Sequence, residues 1–290
     1  MKHLALFITV LTVSCAEWIE IDWSKVRPIH TFDRYWAHIP DKLQYLRQLV
    51  PPIRMIDRQD ATPGQFPYQA ALILNFTDGL ALCGGTILTK NCILTAAHCV
   101  EDVLRGTAIV GAHDIRQDEP TQQRIAFVTD GISMHSGFTR ASLRNDIATV
   151  RLSRPMTFNG RVIPIRLPVA TDIRTFGYWS GTVSGFGQTS KENFNTSTEL
   201  MFVRKPILTN MECYRYWGNR IDMQNICLSA AGGPGACSGD SGGPLTVKSA
   251  KILQVGIVSF GPPGLCSIGK PSVFMRVTHF RNWIIRNSDL

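Results

Sequence analysis

Three side chains in this sequence could together turn an alcohol into a nucleophile: Ser241, His98 and Asp146. Ser241 sits in ACSGDSGGPL, residues 236 to 245. A serine hydroxyl attacks poorly until a neighbouring base takes its proton. Gly239, Gly242 and Gly243 leave room for a tight turn and for a carbonyl to approach the backbone. The amides of Gly239 and Ser241 could then hold a developing oxyanion. His98, in LTAAHC, can take and return a proton near neutral pH. Asp146, in RNDIATV, can hold the histidine tautomer and favour the imidazolium if it is buried. Singly, each residue has a plainer reading: a glycine-rich turn, a structural or metal-ligating histidine, a strand-start cap. Together, in the order His, Asp, Ser, they describe acyl transfer to water, which needs no cofactor and no metal.

The elements that must position them are short and β-rich. Apolar pieces bounded by turn residues run over 69–74, 85–88, 92–94, 108–110, 123–127 and 147–152. A second set covers 179–184, 200–206, 225–228, 244–247, 253–260 and 273–277. Strands this short and numerous predict antiparallel barrels or a sandwich. Residues 278–286 read as a terminal helix with Phe280, Trp283 and Ile284 on one side, and the Pro-punctuated stretch 163–168 reads as a boundary between halves.

The amino-terminal residues differ. Lys2 and His3 precede an apolar run from Leu4 to Val13 and the small residues Ser14, Cys15 and Ala16. That is the layout of a signal peptide cut after Ala16; the run falls short of the roughly 20 residues a membrane span needs. Residues 17–54 hold Trp18, Trp23 and Trp36, and the spacing of Leu43, Leu46 and Leu49 predicts a short helix over 41–50. They form either a removable pro-segment or a permanent extension.

Composition narrows the partners. The net charge is +8, but the 30 Lys and Arg are scattered, with no basic stripe of the kind that binds nucleic acid. Seven cysteines remain after the signal peptide, an odd number for an oxidising compartment. Asn75 and Asn195 open glycosylation sequons in expected surface turns.

CGGTIL (83–88), LTAAHC (94–99), NDIA (145–148), GDSGGPL (239–245) and GIVSFG (256–261) follow in that order, and on them the chain resembles the chymotrypsin-type serine peptidase family from about Met55 to Ile285. GFGQTS (185–190), PTQQR (120–124) and SFG in place of SWG resemble its arthropod brachyurin-like, collagenolytic branch. The resemblance implies an all-β fold of two six-stranded antiparallel β-barrels, residues 55–168 and 169–290, with a C-terminal helix and a preceding pro-segment. It implies Ser241, His98 and Asp146 as nucleophile, base and acid, with Ser259 supporting the aspartate and Ser259, Phe260 and Gly261 pairing with substrate backbone. It implies disulfides Cys83–Cys99, Cys213–Cys227 and Cys237–Cys266, leaving Cys92 as a buried free thiol.

The same resemblance places the specificity pocket at Gly235, Ala236, Gly261 and Ser272. None is a carboxylate, so a Lys or Arg side chain would enter without a partner at a cost of several kcal/mol. Cleavage after Phe, Tyr, Leu or Met is expected. Activation is expected by a trypsin-like protease cutting after Arg54, so that the new Met55 amino group pairs with Asp240. Arg58 departs from the family's glycine there, and strain is expected if its backbone needs positive φ. The remaining partners implied are protein or peptide substrates and protein inhibitors, for a secreted monomer with no nucleic-acid or membrane ligand. The competing account is a catalytically inactive homologue that binds proteins or regulates a cascade.

Overall fold

The computed structural model describes residues 18–36, 58–187, 197–231, 236, 240–261 and 269–290. The signal peptide, the helix expected over 41–50, Arg54, Met55, Asn195, Gly235, Gly239, Cys237 and Cys266 lie outside the described residues.

Two sheets carry the fold. The first holds β1 (Val26–Pro28), β3 (Gln69–Phe76), β4 (Gly79–Ile87), β5 (Cys92–Thr95), β6 (Arg105–Val110), β7 (Gln123–Val128), β8 (Ile132–Met134) and β9 (Ala148–Arg151). Its order is β7-β6-β3-β4-β5-β9-β8, with β1 added alongside β4. The second holds β2 (Gln59–Asp60), β10 (Ser180–Gly185), β11 (Met201–Leu208), β12 (Asn225–Leu228), β13 (Pro244–Lys248), β14 (Ile252–Phe260) and β15 (Ser272–Arg276). Its order is β10-β13-β14-β15-β12-β11-β2, and β10 also pairs with β11, which closes six strands into a barrel.

The expectation of two six-stranded antiparallel barrels therefore holds for the second half alone. The first half is a curled sheet whose end strands β7 and β8 are not paired with each other among the described residues. Closure would require a second ladder on each end strand. β8 is three residues long and carries one, from Ile132 opposite Val150 to Met134 opposite Ala148. The sheet is not wholly antiparallel either, because β1 runs parallel to β4.

Packing explains the rest. β3 is buried along almost its whole length, with β4 and β6 on its two edges, so it reads as a continuous apolar run rather than an alternation. The last helix, α4 (Val277–Arg286), buries Val277, Phe280 and Ile284 in a hydrophobic cluster that joins the core of the first sheet to Ile257 of β14 and Met275 of β15. The carboxyl-terminal helix thereby clamps the two halves together. Among the described residues, no helix is long and apolar enough to cross a membrane.

Candidate active site

His98 lies in α2 (Ala97–Val100), the single helical turn that follows β5. Asp146 lies two residues before β9. Because Thr95 of β5 stands opposite Ala148 of β9, both side chains emerge beyond the same end of that pair. The approach is completed by Asn145, whose backbone is left-handed (φ 53°) and whose amide donates to Gln224 Oε1 at 2.7 Å. Asp146 Oδ2 lies 2.7 Å from His98 Nδ1, and Oδ1 accepts the His98 backbone N–H at 2.8 Å.

A third donor comes from the barrel. β14 and β15 pair Val258 with Phe274 and Phe260 with Val273, so Ser259 is the extra residue of a β-bulge. A bulge turns a side chain off the regular alternation, and Ser259 Oγ donates to Asp146 Oδ2 at 2.5 Å. Asp146 is 0% exposed and His98 1%. A carboxylate so enclosed is tolerable only because donors surround it.

Ser241 sits in the turn between Asp240 and β13. Its carbonyl accepts from Gly84 of β4 at 2.7 Å, and Gly242 N–H donates to Val258 of β14 at 2.8 Å. Gly242 has φ +80°, and a Cβ there would meet Thr95 Oγ1 at 2.1 Å and the Gly84 carbonyl at 2.6 Å. The turn is therefore pressed against the histidine strand. The Cys83–Cys99 disulfide lies between the two: the Cys99 sulfur is 3.8 Å from His98 Nε2 and 3.5 Å from the Ser241 carbonyl oxygen. These sulfurs and His98 are close enough to suggest a metal cluster. Oxidised to a disulfide, however, they offer no thiolate to hold one.

Three of the four expected pocket residues, Ala236, Gly261 and Ser272, are described. Ala236 N–H donates to Ser272 Oγ at 3.2 Å, and a Cβ added at Gly261 would lie 4.0 Å from the same hydroxyl. None of the three carries a charge. Phe260 packs edge-on against the Trp217 ring, with centroids 5.3 Å apart, beside the Cys213–Cys227 disulfide in a separate apolar cluster. Cys92 is buried and unbonded, and burial pushes its thiol up to about 12, which leaves it inert. Asn75 departs from expectation: it lies inside β3, half-buried and flanked by Leu80 and Arg105, not in a turn.

Two contacts were not anticipated. Asp240, 0% exposed, receives Arg58 Nη2 at 3.0 Å and the Gly187 amide at 3.0 Å. Arg58 has no positive φ, so the backbone strain expected there is absent. Instead its side chain is 2% exposed, with Nε and Nη1 buried and without hydrogen-bond partners. The second contact is Tyr35, in α1 (Asp33–Trp36), whose ring lies edge-on to the His98 imidazole with centroids 6.4 Å apart. Burial, with the nearby Asp146 charge, pushes its hydroxyl up to about 12. Arg58 was conspicuous in the sequence as a missing glycine; nothing in the sequence singled out Tyr35.

Comparison with known proteins agrees with this geometry. The family model described as Trypsin matches residues 55–284. Brachyurin of Leptuca pugilator is 38% identical over 228 residues, covering 78% of this chain and 94% of that protein. Chymotrypsin of Phaedon cochleariae is 33% identical over 242 residues, covering 82% and 84%. The solved structure of HL collagenase superposes with a TM-score of 0.72 at 32% identity, covering 81% of this chain and 99% of that one.

Proposed function

The chain belongs to the trypsin family and is a chymotrypsin-like serine endopeptidase, and we propose from this that Ser241, His98 and Asp146 are its nucleophile, base and orienting acid. The buried chain of hydrogen bonds from Ser259 through Asp146 to His98 Nδ1 carries the reading. With Nδ1–H held by the carboxylate, Nε2 is left to accept the Ser241 proton as Oγ attacks the peptide carbonyl. The same imidazole then returns the proton to the leaving amine, and water repeats the sequence on the acyl-enzyme. The amides of Gly239 and Ser241 are assigned to the oxyanion.

The uncharged set Ala236, Gly261 and Ser272 supports cleavage after Phe, Tyr, Leu or Met. A buried cation there would lack a counter-charge. Activation is assigned to a cut after Arg54, which makes the Met55 ammonium available to Asp240. Arg58 now defines what that ammonium must do: displace a guanidinium that offers Asp240 one bond while leaving two of its own donor atoms unpaired. An ammonium brings three donors, and the displaced guanidinium regains water. The proposed setting is extracellular, with a digestive lumen as the first to examine.

Trypsin treatment should yield a chain beginning at Met55 whose Ser241 reacts with a serine-directed phosphonate, and Ser241→Ala should abolish both labelling and hydrolysis. A panel of peptide amides, with collagen included because of the likeness to HL collagenase, then reads specificity. Faster cleavage after Arg than after Phe or Leu would overturn the pocket assignment. Clean scission without labelling would favour an inactive homologue.

A further inference from the structure

The residues before the expected cut are built onto the catalytic half of the molecule. β1 pairs in parallel with β4, Val26 opposite Leu80, Arg27 opposite Ala81 and Pro28 opposite Leu82. On its other edge β4 is fully paired with β3, so β1 takes the edge that β3 leaves. That edge ends two residues short of Gly84, whose amide holds the Ser241 carbonyl. An extended peptide adds to an exposed strand edge through main-chain hydrogen bonds, and here the edge next to the nucleophile is already filled.

Side chains anchor the segment on both sides of this strand. Upstream, the buried Arg124 guanidinium stacks on Trp18 at 4.0 Å and donates to the Ile19 carbonyl at 2.9 Å. Downstream, Phe32 is 2% exposed, packed on Phe76 and capped by Arg27 at 4.3 Å. Trp36 donates to the His30 carbonyl at 2.7 Å, which fixes the turn that carries Tyr35 onto His98. Large aromatic and arginine anchors of this kind carry most of the affinity at protein interfaces. Residues 17–54 contain no cysteine, so no disulfide would retain them once the chain is cut.

We propose that the β4 edge and the His98 face form a docking site for residues 18–36, which act as an intramolecular inhibitor and, after scission behind Arg54, as a dissociable ligand competing with protein substrate. The inference rests on the peptidase reading above. Displacement of the amino-terminal segment is then a second requirement for activity, separate from the Met55–Asp240 exchange.

The test uses the full chain cut with trypsin and assayed on a peptide amide at a series of enzyme concentrations, without separation. Activity per active site, counted by phosphonate on enzyme freed of the segment by gel filtration at pH 4.5 and returned to the assay pH, should rise on dilution. It should plateau at the value of the separated enzyme. Tyr35→Ala should move the concentration of half-inhibition upward at least tenfold, while Tyr35→Phe stays near the parent. The separated enzyme is the same polypeptide in every case, so such a shift comes from the segment alone. Equal activity before and after removal, with Ser241 labelled, would overturn the inference and leave the peptidase reading standing. Absence of both labelling and hydrolysis in the segment-free enzyme would instead overturn the peptidase reading.

Discussion

Asp146 commits both carboxylate oxygens inside the protein, Oδ1 to the His98 amide and Oδ2 to His98 Nδ1 and Ser259 Oγ. Replacing it with asparagine would preserve shape but present an amide where an acceptor is required, and the imidazole would settle in the wrong tautomer. Asp146→Asn should therefore lower kcat by about 10⁴-fold with little change in KM, measured on a peptide amide after activation. Arg58 offers a prediction of the opposite kind. Removing one partner of a buried ion pair leaves the other charge enclosed and costs about 3 kcal/mol. Arg58→Ala should lower the urea stability of the uncut chain by that amount, and the deficit should shrink after scission, once Met55 can supply the missing charge. A deficit that persists undiminished would mean that the freed terminus never reaches Asp240.

At the level of elements, the site is a meeting of three strand ends and a turn. β5 leads into the histidine turn, β9 begins just after the aspartate, β14 bulges at Ser259, and the Ser241 turn is tied to β4 and β14. Gly242 is the tightest point of this meeting. Gly242→Ala would place a methyl group against Thr95 Oγ1 and the Gly84 carbonyl in a backbone conformation that alanine resists. A shift of about 1 Å in the nucleophile is enough to cost on the order of 10²-fold in rate. Phosphonate labelling of this variant should slow by that factor; an unchanged rate would mean that the turn adapts without moving Ser241. Alternating and apolar runs made most of these strands legible in the sequence. The helix α3 (Asn210–Trp217) was missed, although Thr209 and Glu212 form a capping box and the T-x-x-E spacing was present to be read. Short strands such as β1 and β8 were missed for a different reason: at three residues they carry no period, and only a partner strand makes them strands.

For the whole molecule, the docked amino-terminal segment introduces a dependence on pH. Burial depresses His30 from 6.5 to about 4, and its Nδ1 is enclosed without a hydrogen-bond partner. Undocked, His30 would titrate near 6.5, so between these values the released form binds the extra proton. Docking is therefore at full strength above about pH 6.5. It weakens as the pH falls, by up to tenfold per unit, until His30 is protonated in both states near pH 4. Gel filtration of the cut protein should show the segment co-eluting at pH 7.5 and separating at pH 4.5, and His30→Phe should flatten this difference.

The sequence alone determined which alcohol, imidazole and carboxylate to propose for the chemistry, because those residues lie in short ordered blocks whose types have few other uses together. It also determined most of the strands and the final helix, through local periodicity. Only the tertiary structure decided that the end strands of the first sheet stay unpaired with each other among the described residues, that Arg58 reaches the carboxylate beside Ser241, and that Tyr35 rests on His98. Each of these joins residues distant in the chain or depends on how far a short strand can pair. Such contacts are set by packing between elements, and no local pattern of residues encodes them.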